Sequence, residues 1–145
     1  MPGPSGPHPR QAAVIPLVRS PSSGVRICLI RRRDRDDWGI PKGFIDPGDT
    51  APEAAIAEAY EEAGVTGQVI GQTLGSYSYR KRGTTFVVAV FLMEVVAEQA
   101  TWPEMRWRQR RWCTLEEAVT LLSAHPVLPL LSNARAKILN VQVGD

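Results

Sequence analysis

Gly43-Phe-Ile-Asp-Pro-Gly-Asp49, followed by Glu58-Ala-Tyr-Glu-Glu-Ala-Gly-Val65, is the stretch on which the reading of this chain turns. Thr50 and Glu53 fit a capping box, with Pro52 tolerated in the first turn. Residues 54–63 are rich in helix formers, and Gly64 is placed to end the helix. The spacing therefore predicts a helix over 50–63. Glu58, Glu61 and Glu62 then stand at i, i+3 and i+4 and share one side of it. Ile56, Ala59, Tyr60 and Ala63 are expected on the opposite side, against a core.

Three like charges at that spacing repel and destabilise a bare helix. A solvated acidic face is the bland reading. The turn in front argues for more. Trp38-Gly-Ile-Pro-Lys-Gly43 and Pro47-Gly48 supply glycines that let backbone carbonyls approach a ligand closely. A hard cation such as Mg²⁺ or Mn²⁺ is the natural partner for clustered carboxylate oxygens.

Together these pieces resemble the signature of the Nudix hydrolases: Gly, five residues, Glu, seven residues, then Arg-Glu-aliphatic-X-Glu-Glu-X-Gly-aliphatic. Gly43, Glu58, Glu61, Glu62, Gly64 and Val65 match at the required spacing. Asp49 stands where the family has Glu, and Ala57 where it has Arg. In the family those two residues pair and hold the loop against the helix; here another basic residue, such as Lys42, could substitute for the missing Arg. The second half adds shorter motifs. Trp102-Pro-Glu104, Arg111-Trp112 and Leu115-Glu-Glu-Ala118 look like the diphosphoinositol polyphosphate phosphohydrolase group, and diadenosine polyphosphate hydrolases share parts of them.

The resemblance covers residues 11–139 and implies a Nudix hydrolase domain over 11–140. It implies an α/β (α+β) fold, an α/β/α sandwich with a mixed sheet between helices. It also implies a metal-dependent hydrolase of phosphoanhydride bonds in a nucleoside- or inositol-linked diphosphate or polyphosphate. Diphosphoinositol and diadenosine polyphosphates are favoured. Glu58, Glu61, Glu62 and the Gly43 carbonyl are the implied metal ligands. Glu58, Glu61 and Glu62 are the catalytic candidates, with Glu58 or Glu61 as the base. Glu94 or Glu104 is a candidate fourth acid. A nucleotide-sugar or nucleoside triphosphate pyrophosphatase is an alternative. So is a silent module that binds a phosphorylated ligand, which Ala57 favours and the three intact glutamates oppose.

The remaining sequence frames this reading. Net charge is only +2 over 145 residues, so bulk charge does not point to nucleic acid. Its distribution is more telling, with basic clusters at residues 31–35, 80–82 and 106–111. Arginine forks suit phosphate oxygens, so Arg31, Arg33, Lys42, Arg80 and Arg82 are candidate substrate ligands, with Arg106 and Arg108 behind them. Cys28 and Cys113 are far apart, and Cys28 reads as a small core residue rather than half of a disulfide. Residues 1–10, rich in Pro and Gly, read as a disordered tail rather than a signal peptide. No run has the length of a membrane span. A cytoplasmic protein, monomer or homodimer, follows as the default.

Strands are expected at 11–19 (edge or bent, because of Pro16), 25–31, 69–79 with a break near Gly75, 84–96 and 105–113. Thr114 and Glu117 form a second capping box, and Pro126 is placed to start one last helix over 127–139. Packing is the expectation for Trp107, a loop or capping role for His125, and strand packing or base stacking for Tyr77 and Tyr79.

Overall fold

The computed structural model describes residues 8, 10–22 and 24–140. The tail expected over residues 1–10 lies almost wholly outside them, and Arg10 already opens the first strand. In chain order the elements are β1 (Arg10–Ser20), β2 (Gly24–Arg32), β3 (Lys42–Phe44), α1 (Ala51–Ala63), β4 (Val65–Lys81), β5 (Thr84–Glu98), β6 (Arg108–Cys113), α2 (Leu115–Leu121), α3 (Leu128–Asn133) and α4 (Arg135–Asn140). The strands form one mixed sheet in the order β4-β5-β1-β2-β6, with β3 also paired to β1. Among the described residues only the β1–β5 pairing is parallel. Among the described residues no helix is long and apolar enough to cross a membrane.

Strand alternation divides the core in two. Ala12 and Val14 of β1, with Cys28, Ile30, Phe91 and Met93, face α1. Ala13, Ile15 and Leu17, with Ile27, Leu29, Val88 and Val90, face α2 to α4. This is the α/β/α sandwich, and it explains why β5 is apolar at successive positions from Val90 to Met93. Cys28 and Cys113 are buried free thiols on opposite faces. Burial pushes them up to about 12 and about 11, so both are inert packing residues.

β1 is central rather than an edge, which corrects the expectation drawn from Pro16. The strand pairs with β3 through Ala13 and with β2 from Leu17, and Pro16 falls between the two. Val14 donates its N–H to the Pro41 carbonyl on that side, so by alternation the missing Pro16 N–H costs no ladder bond. The break near Gly75 is a shift in β4–β5 register between Ile70 and Gly75. The last helix is two short ones, interrupted at Ala134, and Pro129 rather than Pro126 occupies the first turn of α3.

Helix α1 has both halves of its capping box, Thr50 N–H to Glu53 Oε1 at 2.8 Å and Glu53 N–H to Thr50 Oγ1 at 3.2 Å. Gly64 ends it with φ 69°. Its orientation differs from the expected one. Ala54, Ala55, Ala59 and Ala63 are buried, whereas Tyr60 is 42% exposed. Alanines allow the closest approach to the sheet, so the small side chains, not the large apolar ones, select the packed stripe. The Glu58–Glu62 stripe is thereby turned beside the core instead of away from it.

Candidate active site

Strand β3 lies against β1, with Gly43 opposite Ala12. This brings the glycine loop onto α1. A Cβ at Gly43 would overlap the Glu58 carboxyl group, so only glycine leaves room for it. One residue earlier, the Lys42 N–H donates to Glu62 Oε1 at 3.2 Å. Glu62 is 6% exposed, an unusual position for a carboxylate.

Burial pushes the Glu62 carboxyl up to about 8, although the Arg108 guanidinium and the Lys42 N–H act in the other direction. Burial also raises Glu58, against a hydrogen bond it shares with Glu62. The Glu104 charge adds to the rise at both. Two such carboxyls close together require either a shared proton or a cation. Glu61 is exposed, and its carbonyl accepts the Glu104 N–H at 3.0 Å. Of the two acids considered outside the signature, Glu104 joins this group. Glu94 lies further along the sheet, beside Leu17, Val18 and Ile70.

Among the described residues, no three acidic, histidine or cysteine side chains already converge as a finished cage. Arg108 lies among these carboxylates: it donates from Nε to Glu104 Oε1 at 2.7 Å and sets Nη2 3.6 Å from Glu62 Oε2.

The C-terminal end of α1 is clamped. Trp102 Nε1–H donates to the Glu62 carbonyl at 3.1 Å, and Arg110 Nη1 donates to the Ala63 carbonyl at 2.9 Å. These satisfy carbonyls that a helix end leaves unpaired. The Arg110 guanidinium stacks on Trp102 at 4.1 Å and pairs with Glu98 at 3.0 Å. The sequence points to neither contact, because nothing local links position 110 to position 63.

A cleft of about 180 Å³ opens beside Glu62. Arg31, Arg32, Arg35, Lys42 and Arg108 line it, with Trp38 and His125. Arg31 stacks over Trp38 at 5.0 Å and donates to Gln109 Oε1 at 3.0 Å. Lys42 Nζ donates to the Tyr79 hydroxyl at 3.2 Å, which in turn donates to Gln11 Oε1 at 2.8 Å. Lys42 thus does not stand in for the arginine missing at Ala57. Ala57 and Asp49 are both exposed, and the loop is held by the Lys42 N–H and by Ile45 N–H to the Arg10 carbonyl at 3.2 Å.

The other basic candidates stand outside the cleft lining. Arg33 donates to the Met105 carbonyl, and Arg80 donates to the Gly83 carbonyl at the β4–β5 hairpin. Arg82 is the tip residue, at φ 52°. Arg106 is exposed in the turn before β6. Trp107, expected to pack, is 52% exposed and donates to Glu104 at 3.3 Å, because the strand begins only at Arg108.

His125 has both a capping and a cleft position. Its Nδ1 accepts the Val127 N–H at 3.0 Å, so the neutral ring carries its proton on Nε2. Burial, helped by the Lys42 charge, lowers its pKa.

A glycine loop seated on a glutamate helix, at the end of a mixed sheet between helices, defines the class of domain. The NUDIX domain family model matches residues 8–133, and the chain belongs to that family. It is 33% identical over 105 residues to "Nudix hydrolase 12, mitochondrial" of Arabidopsis thaliana, covering 67% of this chain and 52% of that protein. The chain thus spans about half the length of that relative. It is 46% identical over 55 residues to the 8-oxo-(d)GTP phosphatase of Mycolicibacterium smegmatis, covering 38% of this chain and 17% of that one. The fold superposes on a C. elegans Ap4A hydrolase binary complex with TM-score 0.72 and 22% identity, over 92% of this chain and 99% of that one.

Proposed function

We propose that this domain is a metal-dependent hydrolase of phosphoanhydride bonds in nucleoside- or inositol-linked diphosphates and polyphosphates. The carrying observation is the pair of half-buried Glu58 and buried Glu62 beneath Gly43, opening onto a cleft lined by five cationic side chains. The carboxyls supply hard oxygen donors whose burial calls for a cation, which fits Mg²⁺ or Mn²⁺. Glu58 and Glu62 would hold it, with Glu61 and the Gly43 carbonyl as further ligands. When bound, it would neutralise phosphate charge and acidify a water molecule.

Glu58 or Glu61 accepts the proton of the attacking water, whose oxygen bonds to phosphorus as the bridging P–O bond breaks. Arg31 and Lys42 bind phosphate oxygens in the cleft. Arg33, Arg80 and Arg82 engage only a substrate long enough to reach past it. Diphosphoinositol and diadenosine polyphosphates are the favoured substrates, acted on by a domain spanning 11–140, as monomer or homodimer. A cytoplasmic site of action rests on the sequence alone, and several relatives carry mitochondrial names.

A nucleoside triphosphate pyrophosphatase is the second reading. Beside Lys42, Phe44 meets Phe86 edge-on at 5.9 Å and Phe86 stacks on Tyr79 at 5.1 Å. That row of rings suits a nucleobase, and the likeness to the 8-oxo-(d)GTP phosphatase points the same way. The test is product release from diphosphoinositol, diadenosine, nucleoside triphosphate and nucleotide-sugar substrates, with and without Mg²⁺. Metal-dependent turnover lost in Glu62→Gln is expected. Tight ligand binding with no turnover on any of them would make the domain a silent binding module.

A further inference from the structure

Arg108 occupies the place where a cation is needed, and its two contacts are unequal. The bond from Nε to Glu104 is short and charge-assisted at 2.7 Å. The approach of Nη2 to Glu62 Oε2, at 3.6 Å, is a charge contact beyond hydrogen-bond range. Glu62 Oε1 is held by the Lys42 N–H, so Oε2 is the oxygen left to Arg108. The Arg108 side chain is 22% exposed and also lines the cleft. It reaches from the carboxylate group to the place where the other cations gather. Its backbone is fixed, since β6 pairs Arg108 with Arg32 of β2.

We infer that Arg108 is an exchangeable counter-ion. Once Glu62 is ionised and no divalent ion is bound, Arg108 pairs with Oε2, and it gives up that oxygen when the ion arrives. It stays hinged on Glu104 through Nε and turns its Nη atoms into the cleft toward a substrate phosphate. This rests on the metal-dependent reading above. The physical reason is competition: a guanidinium and a divalent ion repel each other and cannot both take one carboxylate oxygen. The cost of displacing Arg108 therefore weakens metal binding in the substrate-free wild type, and the released charge strengthens phosphate binding once metal is present. Arg108 thus has opposite effects on the two ligands, which a merely structural residue would not have.

The test is Mn²⁺ titration of the full chain by calorimetry and by electron paramagnetic resonance, in wild type, Arg108→Gln, Arg108→Lys and Glu62→Gln. Arg108→Gln is expected to bind Mn²⁺ about 10-fold more tightly than wild type, within the usual range of coupling between sites. At saturating Mn²⁺ it is expected to bind methylenediphosphonate about 10-fold more weakly. Arg108→Lys keeps the charge but loses the two-ended fork, and should change both in the same directions by less. It also serves should the glutamine variant not fold. Equal or weaker Mn²⁺ binding in the Arg108 variants, with binding lost in Glu62→Gln, overturns this inference and leaves the metal reading intact. A wild type that takes up no Mn²⁺ overturns the metal reading, and this inference with it.

Discussion

Gly43 and Glu58 fit each other sterically: the Glu58 carboxyl fills the volume where a side chain at position 43 would begin. The glycine is thus needed for space, because its neighbour in the fold is a glutamate from another element. Gly43→Ala should displace that carboxyl while leaving both cores untouched. A misplacement on the order of 1 Å typically costs about 100-fold in rate. A fall in kcat/KM of about that size, with the melting temperature nearly unchanged, is expected from steady-state kinetics and thermal unfolding. Full activity in the variant would show that the Glu58 position is not needed.

Glu62 makes stability depend on pH. Its folded-state pKa, about 8, lies above the ordinary 4.5, so the native protein keeps a proton that the unfolded chain has shed. This group's contribution is fully present below pH 4.5 and is lost as pH rises toward about 8. Metal-free wild type should melt progressively lower across that window, and Glu62→Gln should flatten the profile. Metal requires the deprotonated carboxylate, so Mn²⁺ affinity should rise over the same window. Parallel profiles in the two proteins would remove Glu62 as the titrating group.

His125 adds a dependence of the opposite sense. Its pKa is lowered in the folded state below the ordinary 6.5, so the unfolded chain protonates first as pH falls. Stability from this residue is present above 6.5 and declines as pH drops from there toward the lowered native value. In His125→Asn, whose side-chain oxygen still accepts the Val127 N–H, that acid-side decline should disappear from the melting curves. A wild-type slope retained in the variant would assign the effect elsewhere.

The clamp at the end of α1 should show in urea unfolding. Trp102→Phe keeps a six-membered aromatic ring and deletes the pyrrole ring whose N–H meets the Glu62 carbonyl. A loss of at least about 1 kcal/mol is expected, the usual net value of such a bond with the lost ring contact added to it. Arg110→Met removes the bond to Ala63, the stack on Trp102 and the pair with Glu98 together, and should cost more. Equal stability of all three proteins would show that the helix end holds without them.

The basic residues should separate by position. Lys42→Met, inside the cleft, should raise KM for every substrate turned over. Arg80→Glu, at the hairpin, should leave KM for short substrates unchanged. Equal increases for both variants on a short substrate would mean that the hairpin reaches the cleft.

Helix α1 was legible in the sequence because its signals are local. Thr50 and Glu53 meet through three residues of chain, Gly64 adopts the left-handed φ that β-carbons disfavour, and the spacing of Glu58 and Glu62 follows from the helical repeat. The alternating core of β1 and the apolar run of β5 were legible for the same reason. Which way α1 faces was not. That depends on alanines letting the helix close onto the sheet, and it carries Glu62 inward and Tyr60 outward. The centrality of β1 despite Pro16 depends on where two other strands begin and end. Arg108 beside Glu62, Arg110 on the Ala63 carbonyl and His125 in the cleft join residues distant in sequence. The sequence alone determined most of the elements and the spacing of the three glutamates, through short-range backbone chemistry. Tertiary packing decided which acids are buried, which cation meets them and which arginines reach the cleft, because burial and charge pairing are set by neighbours the chain supplies only once it is folded.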